Sequence, residues 1–204
     1  KSLQPDKSLQ PDKSLQPDKS LQPDKSLQPD KSLQPDKSLQ PEAIMSLMKQ
    51  SMRRLASSVS VVSSTNGSER HAMAATSVTS LSMDPPSLLV CVNKSIAMHD
   101  VLDEGADFCI NILSQEHAEV SSACGGKLRG EERFTVGNWK ESENGLPYLA
   151  DAQSAIFLQQ DGRYEYGTHT IFIGRVTHAL NSDDIDPLIY VDGRYTTTEE
   201  AEEA

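Results

Sequence analysis

Past residue 50 the apolar residues fall in short runs, and favoured turn dipeptides stand between them: Asn66-Gly67, Asn144-Gly145, Asp161-Gly162 and Asp192-Gly193. Most runs have the length and alternation of strands. "LASSVSVVSST" (55–65) is rich in Val, and with residues 71–79 it predicts a hairpin about the first turn. "SLLVCVN" (87–93) is apolar at five consecutive positions, which predicts a strand buried on both faces. "DFCINIL" alternates, with Phe108, Ile110 and Ile112 on one side. "SAIFLQQ" and "RYEYG" flank Asp161-Gly162 and predict a second hairpin, and "HTIFIGRVTHAL" (169–180) is the longest strand candidate. Helical patterns are fewer. Ser95 is placed to cap "IAMHDVLDE", which stops at Gly105, and Ser114 to cap residues 115–123 before Gly125-Gly126. In "MSLMKQSMRRL", Met45, Leu47, Met48, Met52 and Leu55 make a rough apolar face. Many strands with a few short α-helices predict a mainly β barrel or sandwich.

The N-terminal stretch obeys neither period. Residues 1–36 are six copies of KSLQPD, and 37–42 is a seventh ending in Glu. A Pro every six residues forbids a continuous helix. In polyproline II, with about three residues per turn, each Leu returns to one face. The repeat is either a solvated, disordered or extended arm without function, or a docking arm with a weak Leu stripe. Its seven Lys balance six Asp and one Glu, so the formal charge of −11 falls on residues 43–204. That remainder is long enough for one domain with a core, ending in an acidic tail, "TEEAEEA".

An acidic body argues against a nucleic-acid partner, because phosphate contacts need clustered Lys and Arg. No stretch approaches the ~20 apolar residues of a membrane span, and no charged-then-apolar leader stands near Lys1. Cys91, Cys109 and Cys124 are odd in number and match no zinc spacing, so no metal is expected. They fit free thiols in a reducing, cytoplasmic compartment, with Cys91 and Cys109 as buried strand residues. His71, His99, His117 and His178 are scattered and predict surface or local bonding, and Trp139 predicts packing.

One segment carries candidate chemistry. "MAATSVTSLSMDPPSLLVCVNKS" (73–95) places seven hydroxyl residues around Pro85-Pro86, which must lie in a loop or at a strand edge. The small residues 74–77 let backbone N–H groups approach a flat ring. Lys94 and Ser95 stand at a helix start, whose unpaired N–H groups attract anions. The segment is either plain turns or the seat of a phosphorylated planar ligand.

"AATSVTSLSMDPPSLLVCVNKS" resembles the signature of the flavin reductase-like family, the small reductases of two-component flavin monooxygenases. The resemblance continues, in order, through "GADFCINILS", "EERF", "NGLPYLADAQSAIF", "YGTHTIFIGRV" and "PLIYVDGRY", over about residues 51–198. It implies a split β-barrel that binds FMN or FAD and works as a homodimer. It implies hydride transfer from NADH or NADPH to the flavin, which is supplied to a flavin-dependent oxygenase. By the same resemblance, Ala75, Thr76, Ser77 and Val78 line the flavin, and Ser82, Asn93, Lys94 and Ser95 take its phosphate end. Arg133 and Phe134 close over it. His169 meets the nicotinamide, with Arg194 and Tyr195 as helpers. The family's usual Asp before that His is Thr168 here, which cannot supply a carboxylate's charge. Ser57-Ser58 stand where Thr-Gly is common, and Cys124-Gly125-Gly126 where a Phe is. A flavin binder without nicotinamide turnover, or a reductase of a corrinoid or ferric complex, is the alternative on the same barrel. No Rossmann G-x-G-x-x-G is present, so the nicotinamide cofactor is held loosely or folded over the flavin.

Overall fold

The computed structural model describes residues 40–198. The repeat through residue 39 and the end of the acidic tail lie outside them. Helix α1 (Pro41–Met52) leads to β1 (Ser57–Ser58), β2 (Ser60–Thr65), β3 (Arg70–Ala75), β4 (Val78–Met83) and β5 (Pro86–Asn93). Then come α2 (Ala97–Asp103), β6 (Phe108–Ile112) and α3 (Ala118–Ser122), the last continued by an irregular turn Ala123–Lys127 and a 3-10 segment Gly130–Thr135. The chain closes with β7 (Trp139–Glu141), β8 (Pro147–Leu149), β9 (Ser154–Tyr166), β10 (His169–Asn181), β11 (Ile189–Val191) and β12 (Arg194–Thr196).

Seven strands form one antiparallel sheet in the order β3-β2-β6-β9-β10-β5-β4. Its two edge strands, β3 and β4, are consecutive in the chain and are joined only by Thr76 and Ser77. A flat sheet would hold those edges roughly 29 Å apart, at about 4.8 Å per strand. Three Cα steps reach about 11 Å. The sheet must therefore curl until its edges nearly meet, which makes a barrel split between β3 and β4. Val62, Val90, Val92, Phe108, Ile110, Leu158 and Phe172 fill the interior, and Met98 and Leu102 of α2 pack onto them. Gly174 faces this core, where a Cβ would lie 2.7 Å from Leu158 Cβ and 2.8 Å from Phe108 Cζ. A second core lies outside β2, where Val61 and Val59 meet Val120, Cys124, Phe134 and Leu149.

The hairpin about Asn66-Gly67 forms, with Asn66 Oδ1 accepting the N–H groups of Ser68 and Glu69. The expected strand 71–79 breaks at Thr76 and Ser77, because the chain there crosses from one sheet edge to the other. Asp161-Gly162 is not a hairpin turn. β9 runs through it, and the pairing with β10 skips one residue there, so the dipeptide serves a bulge. The reversal falls six residues later, at Gly167 and Thr168. Ser95 does not cap α2; Ile96 holds the N-cap position, and Ser95 Oγ donates to Asn93 Oδ1 instead. β6 is buried on both faces, since Cys109 and Asn111 are as enclosed as Phe108 and Ile110. β5 is not: Val90 and Val92 are fully buried, whereas Leu89 and Cys91 on the outer face are half-buried. The apolar residues expected along the first helix are exposed on α1 and just past its end. His117 is buried rather than superficial, its Nδ1 2.8 Å from Ser114 Oγ and its Nε2 3.4 Å from Asp151.

Candidate functional site

An edge strand leaves half its backbone groups unpaired. β3 is such an edge, and its side chains Ala72, Ala74 and Ala75 are too small to cover them. The Ala72 carbonyl points outward, where it accepts a hydrogen bond from Arg133 Nη1. By strand alternation the N–H and C=O of Ala74 point the same way. They face a cleft of about 830 Å³ bounded by β3, the start of α2 (Ser95, Ala97, Met98), Gly125, Gly126 and Arg129. A shallower continuation of about 420 Å³ shares Ala74 and Gly125 and is lined by Ala75, Thr76, Ser121, Tyr190 and Tyr195. Together they make one groove along the split of the barrel.

The far wall is fastened to β3 by charge. Arg70 grips Glu131 with both Nη2 (2.6 Å) and Nε (3.1 Å), and its guanidinium lies 4.3 Å over the Phe134 ring. That hydrogen bond holds the Glu131 carboxyl below its ordinary range and raises the Arg70 guanidinium. Arg133 adds a hydrogen bond from Nε to the Leu128 carbonyl. Arg129 makes no ion pair among the described residues and lines the cleft. His71 Nε2 is buried in the same region, 4.0 Å from a Glu69 carboxylate oxygen and without a hydrogen-bond partner among the described residues. A cleft of this size with unpaired backbone, two arginines and an unsatisfied imidazole nitrogen fits a phosphorylated, planar, hydrogen-bonding ligand such as a flavin nucleotide.

The expected site residues divide among several places. Ala75, Thr76, Tyr195, Ser95 and Arg133 line the groove. Tyr195 reaches it from β12, with its hydroxyl donating to Ser121 Oγ at 2.9 Å. Arg194, its neighbour, is exposed on the small β1-β11-β12 sheet. Ser77 locks the β3–β4 crossing, its Oγ donating to the Cys91 carbonyl at 3.0 Å. Val78 packs toward the barrel core. Ser82 pairs with Ser87, at the opposite end of β5 from Asn93, and its hydroxyl closes its own turn through Asp84. One chain therefore does not bring Ser82 to the residues expected to share its role. Asn93, Lys94 and Ser95 do cluster, but their polar groups are engaged. Asn93 Oδ1 accepts both the Ser95 N–H and Oγ–H at 2.9 Å, and Lys94 Nζ meets Glu165 at 2.7 Å. An anion arriving there must displace these partners. Phe134 is buried in the second core against Trp139, ring centroids 4.9 Å apart, and lines no part of the groove. Trp139 packs, as its sequence context predicts.

His169 is exposed at the first position of β10, opposite Asn93. Its Nδ1 is 2.9 Å from Thr168 Oγ1, and the Lys94 N–H donates to the Thr168 carbonyl. The turn carrying His169 is thus tied to the loop that reaches Ser95 at the cleft. Ala74 belongs to the small residues 74–77 that the sequence offers to a flat ring, but Ser121, Gly125 and Arg129 were not singled out as ligand-lining residues. Only Gly125-Gly126 carried a signal, since paired glycines after a short helix let a ligand approach the backbone.

A protein-family model described as a flavin reductase like domain matches residues 52–199. Over 156 residues the chain is 40% identical to the reductase component of an FADH(2)-dependent resorcinol hydroxylase from a Rhizobium species, covering 76% of this chain and 87% of that one. Over 148 residues it is 36% identical to the FMN reductase (NADH) RutF of Agrobacterium fabrum, covering 72% of this chain and 84% of that one. A solved structure of the NADH:FAD oxidoreductase SgcE6 of Streptomyces globisporus, in complex with NAD and FAD fragments, superposes with a TM-score of 0.71 at 27% identity, covering 83% of this chain and 99% of that one.

Proposed function

Because this chain belongs to the flavin reductase-like family, we infer that it is a flavin reductase, using NADH or NADPH to reduce FMN or FAD for a partner monooxygenase. The observation that carries this is the open edge of β3, where unpaired backbone faces a cleft large enough for a flavin nucleotide. When bound, the flavin supplies N5 as the acceptor of the nicotinamide hydride.

The chain's own residues bind and orient. The Ala74 N–H and C=O meet a ring edge that can both accept and donate, as a neighbouring strand would. Backbone N–H groups near Thr76 favour negative charge on the bound ring. Arg129 and Arg133 offset the phosphate charge. Tyr195 borders the far end of the groove without spending its hydroxyl, which is already bonded to Ser121. His169 positions the nicotinamide from the β9–β10 turn, because an exposed imidazole held by Thr168 at Nδ1 leaves Nε2 free to reach a carboxamide. Productive transfer requires reacting atoms about 3–3.5 Å apart, so positioning is the larger share of this role.

We further propose that two copies pair through the outer face of β9, β10 and β5. Tyr164, Ile171 and Cys91 form one cross-strand row there, and Leu89 pairs with Ile173 beside it. A second copy covering this face explains why the run 88–92 is apolar at every position rather than every other one. Sedimentation of a Leu89→Asp variant as a monomer, against a wild-type dimer, supports this; a wild-type monomer contradicts it. Among the described residues no helix is long and apolar enough to cross a membrane. All three cysteines are free thiols, which supports a reducing, cytoplasmic setting.

Oxidation of NADH and of NADPH, followed at 340 nm with and without added FMN or FAD, tests the activity. Flavin-stimulated oxidation is expected. Bound flavin with no reaction with either nicotinamide would make the protein a flavin binder without turnover.

A further inference from the structure

We propose that a second cavity, beneath the β7–β8 hairpin, binds a compact aromatic cation. It measures about 730 Å³ and shares no lining residue with the groove on β3. Three observations carry the assignment.

The first is an aromatic wall made by an irregularity. The pairing of β9 and β10 slips between Val176 and His178, leaving Thr177 as the extra residue. The Thr177 hydroxyl donates to the Phe157 carbonyl at 3.2 Å, which fixes the bulge. A one-residue insertion moves the next side chain to the other face of a strand. His178 accordingly stacks on Phe157, centroids 5.8 Å apart and planes 30° from parallel. Tyr148 meets the same Phe157 ring edge-on at 5.2 Å. All three rings line the cavity.

The second is that the wall is preformed. The hairpin bearing Tyr148 is fastened on both sides of it. The Ser63 hydroxyl donates to the Pro147 carbonyl at 2.6 Å, and the Leu149 N–H donates to Asn111 Oδ1 at 2.8 Å. Both anchors are buried. A ligand entering here need not order the hairpin first.

The third is charge. Asp107, Glu141 and Glu143 line the cavity, and among the described residues no Lys or Arg does. Asp107 Oδ1 already accepts the Gln160 N–H, and Glu141 lies 3.8 Å from Arg70. Glu143 has no ion-pair partner among the described residues. Such a lining repels flavin phosphates and nicotinamide dinucleotides. It favours an ammonium that can sit against the ring faces with Glu143 beside it. Leu146 and Leu180 supply the apolar remainder.

The test uses three ligands of one shape and different charge: phenethylamine, 2-phenylethanol and phenylacetate. Each is titrated into the full chain and followed by calorimetry, with and without saturating FMN. The amine is expected to bind about fivefold or more tightly than the alcohol, the gain of one cation–π contact of about 1 kcal/mol. The acid is expected not to bind. Glu143→Gln, an exposed change, should narrow the amine's advantage over the alcohol by the share that Glu143 adds to the ring contact, and His178→Ala should weaken both. FMN should leave the amine's affinity unchanged. The proposal is overturned if none of the three binds at millimolar concentration, if the acid matches the amine, if FMN displaces the amine, or if both variants bind as the wild type does. None of these results depends on whether the chain reduces flavin.

Discussion

Replacing Asn111 by Leu should unfold this protein far more easily than its near-constant volume implies. Asn111 is fully buried on β6. Its Nδ2 donates to the Val61 carbonyl at 2.9 Å and to Ser63 Oγ at 3.0 Å, and its Oδ1 accepts the Leu149 N–H at 2.8 Å. The Leu149 N–H has no other hydrogen-bond acceptor among the described contacts and sits in a fully buried residue. Orphaning such a group costs about 1–3 kcal/mol, and each of the two lost donor bonds about 1 kcal/mol. The expected loss is about 3–5 kcal/mol, a large part of the stability of a domain this size. The only tryptophan, Trp139, sits on β7 of the hairpin that Asn111 anchors. Urea unfolding followed by its fluorescence therefore reports the element concerned. A midpoint shift worth less than about 1 kcal/mol would mean the Asn111 network does not hold the β7–β8 hairpin.

Gly174→Ala should cost about 1–3 kcal/mol, since the added carbon falls within 2.8 Å of Leu158 and Phe108; urea denaturation gives the value. Thr168→Val should raise KM for NADH two- to tenfold with little change in kcat, and Thr168→Ser should restore it, as expected of one hydrogen bond that orients His169. Burial pushes the Cys124 thiol up to about 11 from 9.0. A folded-state value above the unfolded one means the neutral thiol stabilises the fold fully below pH 9, and that contribution is lost as pH rises toward 11. It amounts to about 3 kcal/mol, so a Cys124→Ala variant should show a shallower decline in stability between pH 9 and pH 11. Removing residues 1–39 should leave flavin-dependent turnover unchanged; a loss of activity would give the repeat a docking role.

The strands of this fold were legible because half-buried strands alternate and their turns favour Asn-Gly and Asp-Gly. The same signal misled at Asp161-Gly162, since a bulge inside a long ladder favours those residues as much as a reversal does. Nothing local distinguishes the two; the partner strand β10 decides. The crossing at Thr76 and Ser77 was hidden for a similar reason, because only closure of the barrel makes residues 70–75 and 78–83 opposite edges. The outer face of β5 illustrates a different limit. Five apolar residues in a row state that both faces are covered, but not by what, and in one chain one face stays open. Within the site, motif order located Thr76, Ser95 and Arg133, whereas Gly125, Ser121 and Arg129 arrive from loops whose path depends on the second core around Phe134. His169 was legible by its motif, while its contact with Thr168 follows from the two-residue turn that only the structure places.

The central claim is that the open edge of β3 holds the flavin. A crystal structure of the full chain grown with FMN or FAD tests it most directly. The tricycle is predicted beside Ala74 and Thr76, hydrogen-bonded to the Ala74 backbone, with its phosphate toward Arg129 or Arg133. A flavin found instead beneath the β7–β8 hairpin, or a β3 groove filled by the protein's own side chains at saturating flavin, would contradict it.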